Sequence, residues 1–479
     1  MVWVVMQAVG SKLIAFAGQV ALAWILGRKD FGQVGLAYAI FGFAGILQQS
    51  GLREILIQRQ HHFRRWENAA FWMSIAGGVI PAMIMLALAP IAAVLFHSPR
   101  LAGLVAVLAL MGPINSLAVV STARLQAELR FRLLSVITMI CTVMTVSLNV
   151  LFAWKGLGAY SFVLPLPIVA ALRTAIILLA DRPTVKPKLQ LRRWRYLFGD
   201  SGWAIITTAC IAISLQGDYL ILGYFHGEDI VGLYFFAFSL SAQTVQLLAA
   251  NTAGVLYPAL SKLQLEPPRQ CQAFIRASRL SAIIGVPLCF LQAALAAPAF
   301  ALFFDPKWRE AVPVFQVLSV GMASMMASVA AGSMMQAQGR FKLLFQVSLA
   351  FAILFVVMVA IAAMVGQALA VAVAVALYSI ITGPLNIYFA VRLVGGRWAD
   401  VRDIYLVPTL AGLVAVGAAW WLGRVLPPAF GHHWVQIVVI TLISTAVYIP
   451  LIRKLSPKDY AELVGRVRRL LRLPSTAKD

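Results

Sequence analysis

The chain has 479 residues, 61% of them hydrophobic and 12% charged, with a formal net charge of +22. A soluble protein of this length divides into two or three domains with polar surfaces, and so apolar a composition excludes that. In a soluble chain the basic excess would point to nucleic acid, but no basic stretch outside the apolar runs is interleaved with aromatics, so no nucleic-acid partner is expected. The apolar runs recur from end to end, most of them longer than the roughly 18 residues that cross a bilayer as helix. They lack the alternation of barrel strands, and only helices or closed barrels satisfy their backbone in lipid. The expected fold class is all-α, a polytopic integral membrane protein.

Val2 to Leu26 is long enough to span and ends in Gly27-Arg28-Lys29 without a small-residue cleavage site, which predicts a first transmembrane helix in place of a cleaved signal. It begins almost at Met1 with no basic leader, leaving room for a start further upstream. Span 2 ends near Gln58, and Arg59, Arg64 and Arg65 follow. Span 3, about Ala69 to Ala89, is expected to break at Pro90 and leave Pro90 to Arg100 as a short segment outside the membrane. Span 4 covers about Leu101 to Ala123, Arg124, Arg130 and Arg132 form the next basic loop, and span 5 runs to Trp154. Lys155-Gly156 turns into span 6, about Tyr160 to Ala180. The polar connection Asp181 to Asp200 then carries Arg182, Lys186, Lys188, Arg192, Arg193 and Arg195. Spans 7 (about Gly202 to Phe225) and 8 (to Leu260) come next. Spans 9 (about Ser281 to Ala297) and 10 (about Ala311 to Ala331) flank a second outside segment, Pro298 to Arg309. Spans 11 (about Leu343 to Met364) and 12 (about Ala368 to Phe389) precede two more, Ile404 to Leu422 and Trp434 to Ile452, and a basic, partly amphipathic tail. The total is about fourteen spans at the bilayer length of helix. Roughly three quarters of the 39 Lys and Arg fall on one side of these connections, which makes that side cytoplasmic and places both termini there.

A stretch in the basic loops occurs twice. Leu125-Gln126-Ala127-Glu128-Leu129-Arg130-Phe131-Arg132-Leu133-Leu134 returns as Met335-Gln336-Ala337-Gln338-Gly339-Arg340-Phe341-Lys342-Leu343-Leu344. Pro90-x-x-Ala93-x-x-Phe96 returns as Pro298-x-x-Ala301-x-x-Phe304, and Gly27-x-x-x-x-Gly32-x-x-x-x-Ala37 as Gly227-x-x-x-x-Gly232-x-x-x-x-Ala237. The nearly constant offset argues duplication of a whole bundle, a far longer unit than the 20 to 50 residues of a solenoid. Six spans per copy is an even number, so both copies enter the membrane alike and form parallel halves about an axis along its normal. The expected domains are a six-helix lobe over 1–200, a second over 201–400, and two extra helices with a cytoplasmic tail over 401–479.

Cys141, Cys210, Cys271 and Cys289 include no C-x-x-C pair and predict neither a disulfide framework nor a zinc site. The adjacent pairs His61-His62 and His432-His433 do not share a helix face and read as interfacial residues, so no metal is expected. No G-x-x-x-x-G-K-[ST] phosphate loop occurs, and no cofactor is expected.

The 6+6+2 plan carries further motifs: Gly27-x-x-x-Phe31-Gly32, Gly51-Leu52 with Leu56-Ile57-Gln58-Arg59, and Asp218-x-Leu220-x-Leu222-Gly223. Gly232-x-Tyr234-x-x-Ala237 and Leu256-Tyr257-Pro258-Ala259-Leu260-Ser261-Lys262-Leu263-Gln264 follow. In order, over nearly the whole chain, they resemble the polysaccharide transporter family, the Wzx-type lipid-linked oligosaccharide flippases of the multidrug/oligosaccharidyl-lipid/polysaccharide exporter superfamily. Tyr224 departs from it, since the resemblance implies a basic residue after the glycine. The resemblance implies flipping of undecaprenyl-diphosphate-linked oligosaccharide across the bacterial inner membrane, ahead of polymerisation into exopolysaccharide, capsule or O-antigen. It implies membrane lipids, a polysaccharide polymerase and an initiating glycosyltransferase as partners, and no ATP site.

Ionisable side chains within spans cost about a few kcal/mol each and mark pathways. Lys12 lies near the middle of span 1, where it is either a cation for the substrate diphosphate or an internal partner to a carboxylate such as Asp218. Arg53 and Arg173 stand near the basic ends of spans 2 and 6, and an arginine fork grips phosphate oxygens bidentately. Glu54 points about 100° away from Arg53 around the helix and is expected to pair with another span. Asp218, two turns inside span 7, is either an ion-coupling carboxylate, with Glu54, or a structural partner to Lys12 or a tyrosine. Gln48, Gln49, Asn115, Gln216 and Asn251 are candidates to line the same cavity or to bridge helices. A multidrug exporter of the superfamily is the main alternative, but embedded cations favour an anionic substrate. A peptidoglycan lipid II flippase has the same chemistry with another sugar. A membrane glycosyltransferase would need paired carboxylates at an aqueous face, so the chain is not expected to be an enzyme.

Overall fold

The computed structural model describes residues 2–48, 56, 63–183, 186, 194, 201–425 and 433–470. Side chains of 2–9, 46–48, 64–65, 201–205, 247–255, 258, 422–425 and 466–470 lie outside that description. The chain divides into two compact units, Met1–Phe235 and Phe236–Asp479.

The first unit opens with α1 (Val2–Ile25), α2 (Arg28–Gln48) and α3 (Phe63–Leu95). Span 4 is three pieces, α4 (Pro99–Ala109), α5 (Met111–Ser116) and α6 (Val119–Ala127). Then come α7 (Phe131–Trp154), α8 (Tyr160–Val163), α9 (Pro165–Ala180), α10 (Ser201–Phe225) and the first turns of α11 (Glu228–Lys262). The second unit holds the rest of α11, then α12 (Pro267–Phe303), α13 (Ala311–Ser328), α14 (Ala331–Ala337), α15 (Phe341–Val365) and α16 (Ala368–Arg392). It closes with α17 (Trp398–Val425), α18 (His433–Leu455) and the amphipathic α19 (Pro457–Leu470). Among the described residues eleven helical segments are long and apolar enough to cross a bilayer.

The prolines do not end helices as expected. α3 runs through Pro81 and Pro90 to Leu95, and α12 runs through Pro287 and Pro298 to Phe303. The outside segments shrink to a turn at His97, in the left-handed region at φ 52°, and a 3-10 turn at Pro306–Trp308. An interior proline frees one carbonyl, and in a bundle neighbouring helices and small local adjustments absorb that loss.

Small residues let helices approach closely. A Cβ on Gly78 of α3 would stand 2.5 Å from the Gly112 carbonyl oxygen of α5, and one on Gly18 of α1 2.6 Å from Val146 of α7. Buried Ser74 donates to the Ser116 carbonyl at 2.9 Å across the α3–α5 contact. At the end carrying the basic loops, the Arg124 guanidinium meets Glu67 at 2.5 Å and Asp181 at 2.9 Å and lies over the Phe63 ring. The polar connection is stapled to α3: Lys186 N–H donates to Asn68 Oδ1, and Trp72 and Trp194 donate their indole N–H to the carbonyls of Lys186 and Ala69.

The two copies of the basic-loop stretch fold alike. Leu129 and Gly339 hold the same position in the repeat, and both are left-handed, at φ 56° and 68°. Arg130 N–H closes onto Leu125 O at 2.9 Å, and Arg340 N–H onto Met335 O at 3.0 Å, the six-to-one bond that ends a helix. Within the second unit, Gln292 of α12 accepts from Thr244 and donates to Ser319 of α13. Tyr448 of α18 donates to the Ile283 carbonyl at 2.6 Å, and Glu462 and Asp459 of α19 pair with Arg276 and Arg279 of α12.

Candidate functional site

In the first unit the α1–α2 and α10–α11 turns, at the end away from the basic loops, meet through the repeated glycine motif. A Cβ on Gly32 would stand 1.9 Å from the Glu228 carbonyl oxygen, and one on Gly232 1.8 Å from the Arg28 carbonyl oxygen. No side chain fits at either place, so the motif is glycine because two backbones touch there. Around this crossing, Gln33 donates to Glu228 Oε2 at 3.0 Å, with Lys29 Nζ at 3.7 Å from the same oxygen. Phe31, Tyr38 and Tyr219 pack on Phe235 beside it.

Asp218, on α10, is 1% exposed. Tyr234 donates its hydroxyl to Oδ2 at 2.7 Å, and the Tyr219 amide to Oδ1 at 3.0 Å. Of the structural partners expected for Asp218, the tyrosine is therefore present. Gln216, two residues before it on α10 and so on nearly the opposite side of that helix, packs against Gly42 of α2.

The two described cations lie elsewhere in the same unit. On α9, Ile168, Ala171, Ala175 and Leu179 are exposed at i, i+3, i+7 and i+11, the row that faces lipid. Arg173 is exposed on the opposite side of the helix, close enough to the Cys141 thiol of α7 to interact electrostatically. On α1, Leu13, Ala17 and Trp24 form the exposed row, and Gly10 and Gly18 touch α7. Half-buried Lys12 points away from both, on the side that also carries Gln19. Of the other predicted residues, Gln49, Arg53 and Glu54 lie outside the described residues. Gln48 ends α2 and Asn251 falls within α11, and their side chains are likewise outside that description.

One group of residues escaped the sequence reading. Thr138, Thr142, Thr145 and Asn149 recur on α7 at i, i+4, i+7 and i+11 and are all half-buried. They stand opposite the lipid-facing row Val136, Ile140, Val143, Ser147 and Leu151. The spacing was readable, but threonine weighs little in hydropathy and no charge drew attention to it.

A family model described as polysaccharide biosynthesis protein matches residues 21–313. The succinoglycan biosynthesis transport protein ExoT of Rhizobium meliloti (strain 1021) is 25% identical over 322 residues, 66% of this chain and 64% of that protein. The chain thus spans just under two thirds of that relative's length. The lipopolysaccharide biosynthesis protein WzxC of Escherichia coli (strain K12) is 23% identical over 430 residues, 88% of this chain and 87% of that one. The solved structure of the lipid II flippase MurJ in an inward closed conformation superposes with a TM-score of 0.74 at 13% identity, covering 94% of this chain and 99% of that chain. The Vibrio cholerae MATE transporter VcmN in its bent form gives 0.54 at 11%, with 85% and 100% covered. At such identities the structural likeness speaks for the fold alone. The family match runs from the end of α1 into α13, and the chain belongs to the polysaccharide biosynthesis protein family.

Proposed function

We propose that the protein is a flippase that carries undecaprenyl-diphosphate-linked oligosaccharide across the bacterial inner membrane, for exopolysaccharide, capsule or O-antigen synthesis. The observation that supports it is the placement of Lys12 and Arg173. Both are cations within apolar spans, and both lie on faces turned away from lipid, which gives the first unit an anion-binding interior. A cargo that is lipid at one end and diphosphate at the other suits such an interior. The reaction is transport without chemical change. The basic loops face the cytoplasm, as do both termini, and the polymerase and initiating glycosyltransferase act on either side of the transport step.

The mechanism is alternating access between the six-helix halves 1–200 and 201–400. Lys12, Arg53 and Arg173 hold the diphosphate while the lipid tail stays in the bilayer, with Gln48, Gln49 and Asn251 in the same cavity. The Gly32–Gly232 crossing and the Gln33–Glu228 hydrogen bond are the contacts that part when the cavity opens away from the basic loops. Asp218 and Glu54 are the coupling carboxylates: release of the Tyr234 hydroxyl from Asp218 provides a carboxylate that takes a proton or cation in one half of the cycle.

A clean deletion tests the reading, followed by extraction of lipid-linked saccharides and assay of surface polysaccharide. Undecaprenyl-linked repeat units should accumulate while surface polymer disappears, and Lys12→Ala and Arg53→Ala should fail to restore it at normal protein abundance. Normal polysaccharide with new sensitivity to cationic drugs would instead favour a multidrug exporter.

A further inference from the structure

We propose that the Thr138, Thr142, Thr145 and Asn149 face of α7 is a glycan track, whose acceptor oxygens take the hydroxyls of the transported oligosaccharide while Arg173 holds the phosphate to which the sugars are joined. The inference rests on the flippase reading and adds where the sugar lies. At 1.5 Å per residue the four side chains extend over about 16 Å of one helix face. That length suits an oligosaccharide better than a single sugar.

The chemistry of the face follows from where its donors go. Thr138 donates its hydroxyl to the Leu134 carbonyl at 2.8 Å, Thr142 to Thr138 at 2.9 Å, and Thr145 to Cys141 at 2.8 Å. Oriented with its nitrogen toward the neighbouring acceptors, the Asn149 amide donates to the carbonyls of Thr145 at 3.0 Å and Ser161 at 3.2 Å. Every donor proton is thus directed back into the protein. A hydroxyl oxygen keeps two lone pairs and an amide oxygen likewise, so the face offers acceptors along its length. Sugar hydroxyls are the donors that match it.

The duplicated helix provides the control. At the repeat offset, the same positions of α15 are Ser348, Ala352, Phe355 and Val359. Ala352, Phe355 and Val359 are 3%, 1% and 0% exposed, and Phe355 meets Tyr378 of α16 edge to face at 5.0 Å. In the second copy this face is closed core. In the first copy it is polar and half open, so the helix does not need the threonines to fold. Arg173 is within electrostatic range of Cys141, which is next in sequence to Thr142 and about one turn from Thr138. Among the described residues no carboxylate pairs with it, which leaves its charge for an anionic ligand.

The test uses the full-length protein in nanodiscs and two probes: bare undecaprenyl diphosphate, and the undecaprenyl-diphosphate oligosaccharide extracted from cells lacking the gene. Changing Thr138, Thr142 and Thr145 to Val keeps shape and removes the acceptors. That variant should bind the sugar-bearing lipid at least tenfold more weakly, the 1.4 kcal/mol of one decade, and the bare lipid within twofold of wild type. The triple Ser variant should restore the lost affinity, and Arg173→Gln should weaken both probes. If the Val variant melts below wild type, the single Thr142→Val and Thr142→Ser pair makes the same comparison, with about a threefold loss. Equal loss for both probes, or unchanged binding of both, overturns the track while the flippase reading stands. Failure of the wild type to bind either probe overturns the flippase reading and the track with it.

Discussion

At the basic end of the first unit, α3, α6 and the start of the polar connection are joined by charge: Glu67 is 1% exposed, and Arg124 bridges it to Asp181. Where α12 meets the matching turn of the second unit, amides take that place. Gln270, fully buried, donates to the Leu260 carbonyl at 2.8 Å and accepts from Gln338. Both junctions tie three elements: Gln270 joins α12 to α11 and to the turn after α14, and Arg124 joins α3 and α6 to the connection through Asp181. The ionic junction carries the greater risk, because removing one partner leaves buried charge less compensated, whereas a severed amide pair leaves only neutral groups unsatisfied.

Arg124→Ala should break the difference most visibly, lowering stability by about 3–5 kcal/mol, because Glu67 and Asp181 both lose the guanidinium that bridges them. A melt in detergent would show it, and Arg124→Met with Glu67→Met should recover most of the loss. Gln270→Ala should cost less, about 1–3 kcal/mol, because the Leu260 carbonyl loses its donor without any charge being left behind. The turns themselves sharpen the comparison. Gly339→Leu should destabilise by about 1–2 kcal/mol, the cost of a side chain in the left-handed region, and Leu129→Gly should stabilise by up to about 1 kcal/mol. The smallest effect belongs to the ion pairs that the second unit does have. Arg276 is 64% exposed against Glu462, and Glu462→Gln should change stability by less than about 1 kcal/mol, fading further at high salt.

The repeat was legible because duplication preserved the residues that shape a turn: Gln-Ala before it and Arg-Phe after it, with the same six-to-one hydrogen bond in both copies. The ends at Pro90 and Pro298 were misread because a rule drawn from water was applied in lipid. A proline that would stop a solvated helix is carried through when neighbours pack over the gap. The glycine motif was visible as a repeat, but its purpose was not, since the partner that forbids a Cβ at Gly32 lies about 200 residues away, at Glu228. For Asp218 the sequence left the partner open between a lysine and a tyrosine, and three-dimensional placement chose Tyr234. The threonine face of α7 had a readable period, and only comparison with the closed face of α15 gives it meaning.

The Gly32–Gly232 crossing is reciprocal: residue 32 meets residue 228 as residue 232 meets residue 28. Such reciprocity is the mark of an isologous contact, the kind that joins two copies of one chain in a symmetric dimer. A dimer of identical halves must carry the same side chain on both sides of that contact. Here one side presents Glu228 and the other Arg28, and Glu228 alone takes up Gln33 and Lys29. Carrying both copies of the glycine motif in one polypeptide is what permits a self-complementary contact to acquire opposite charges on its two sides.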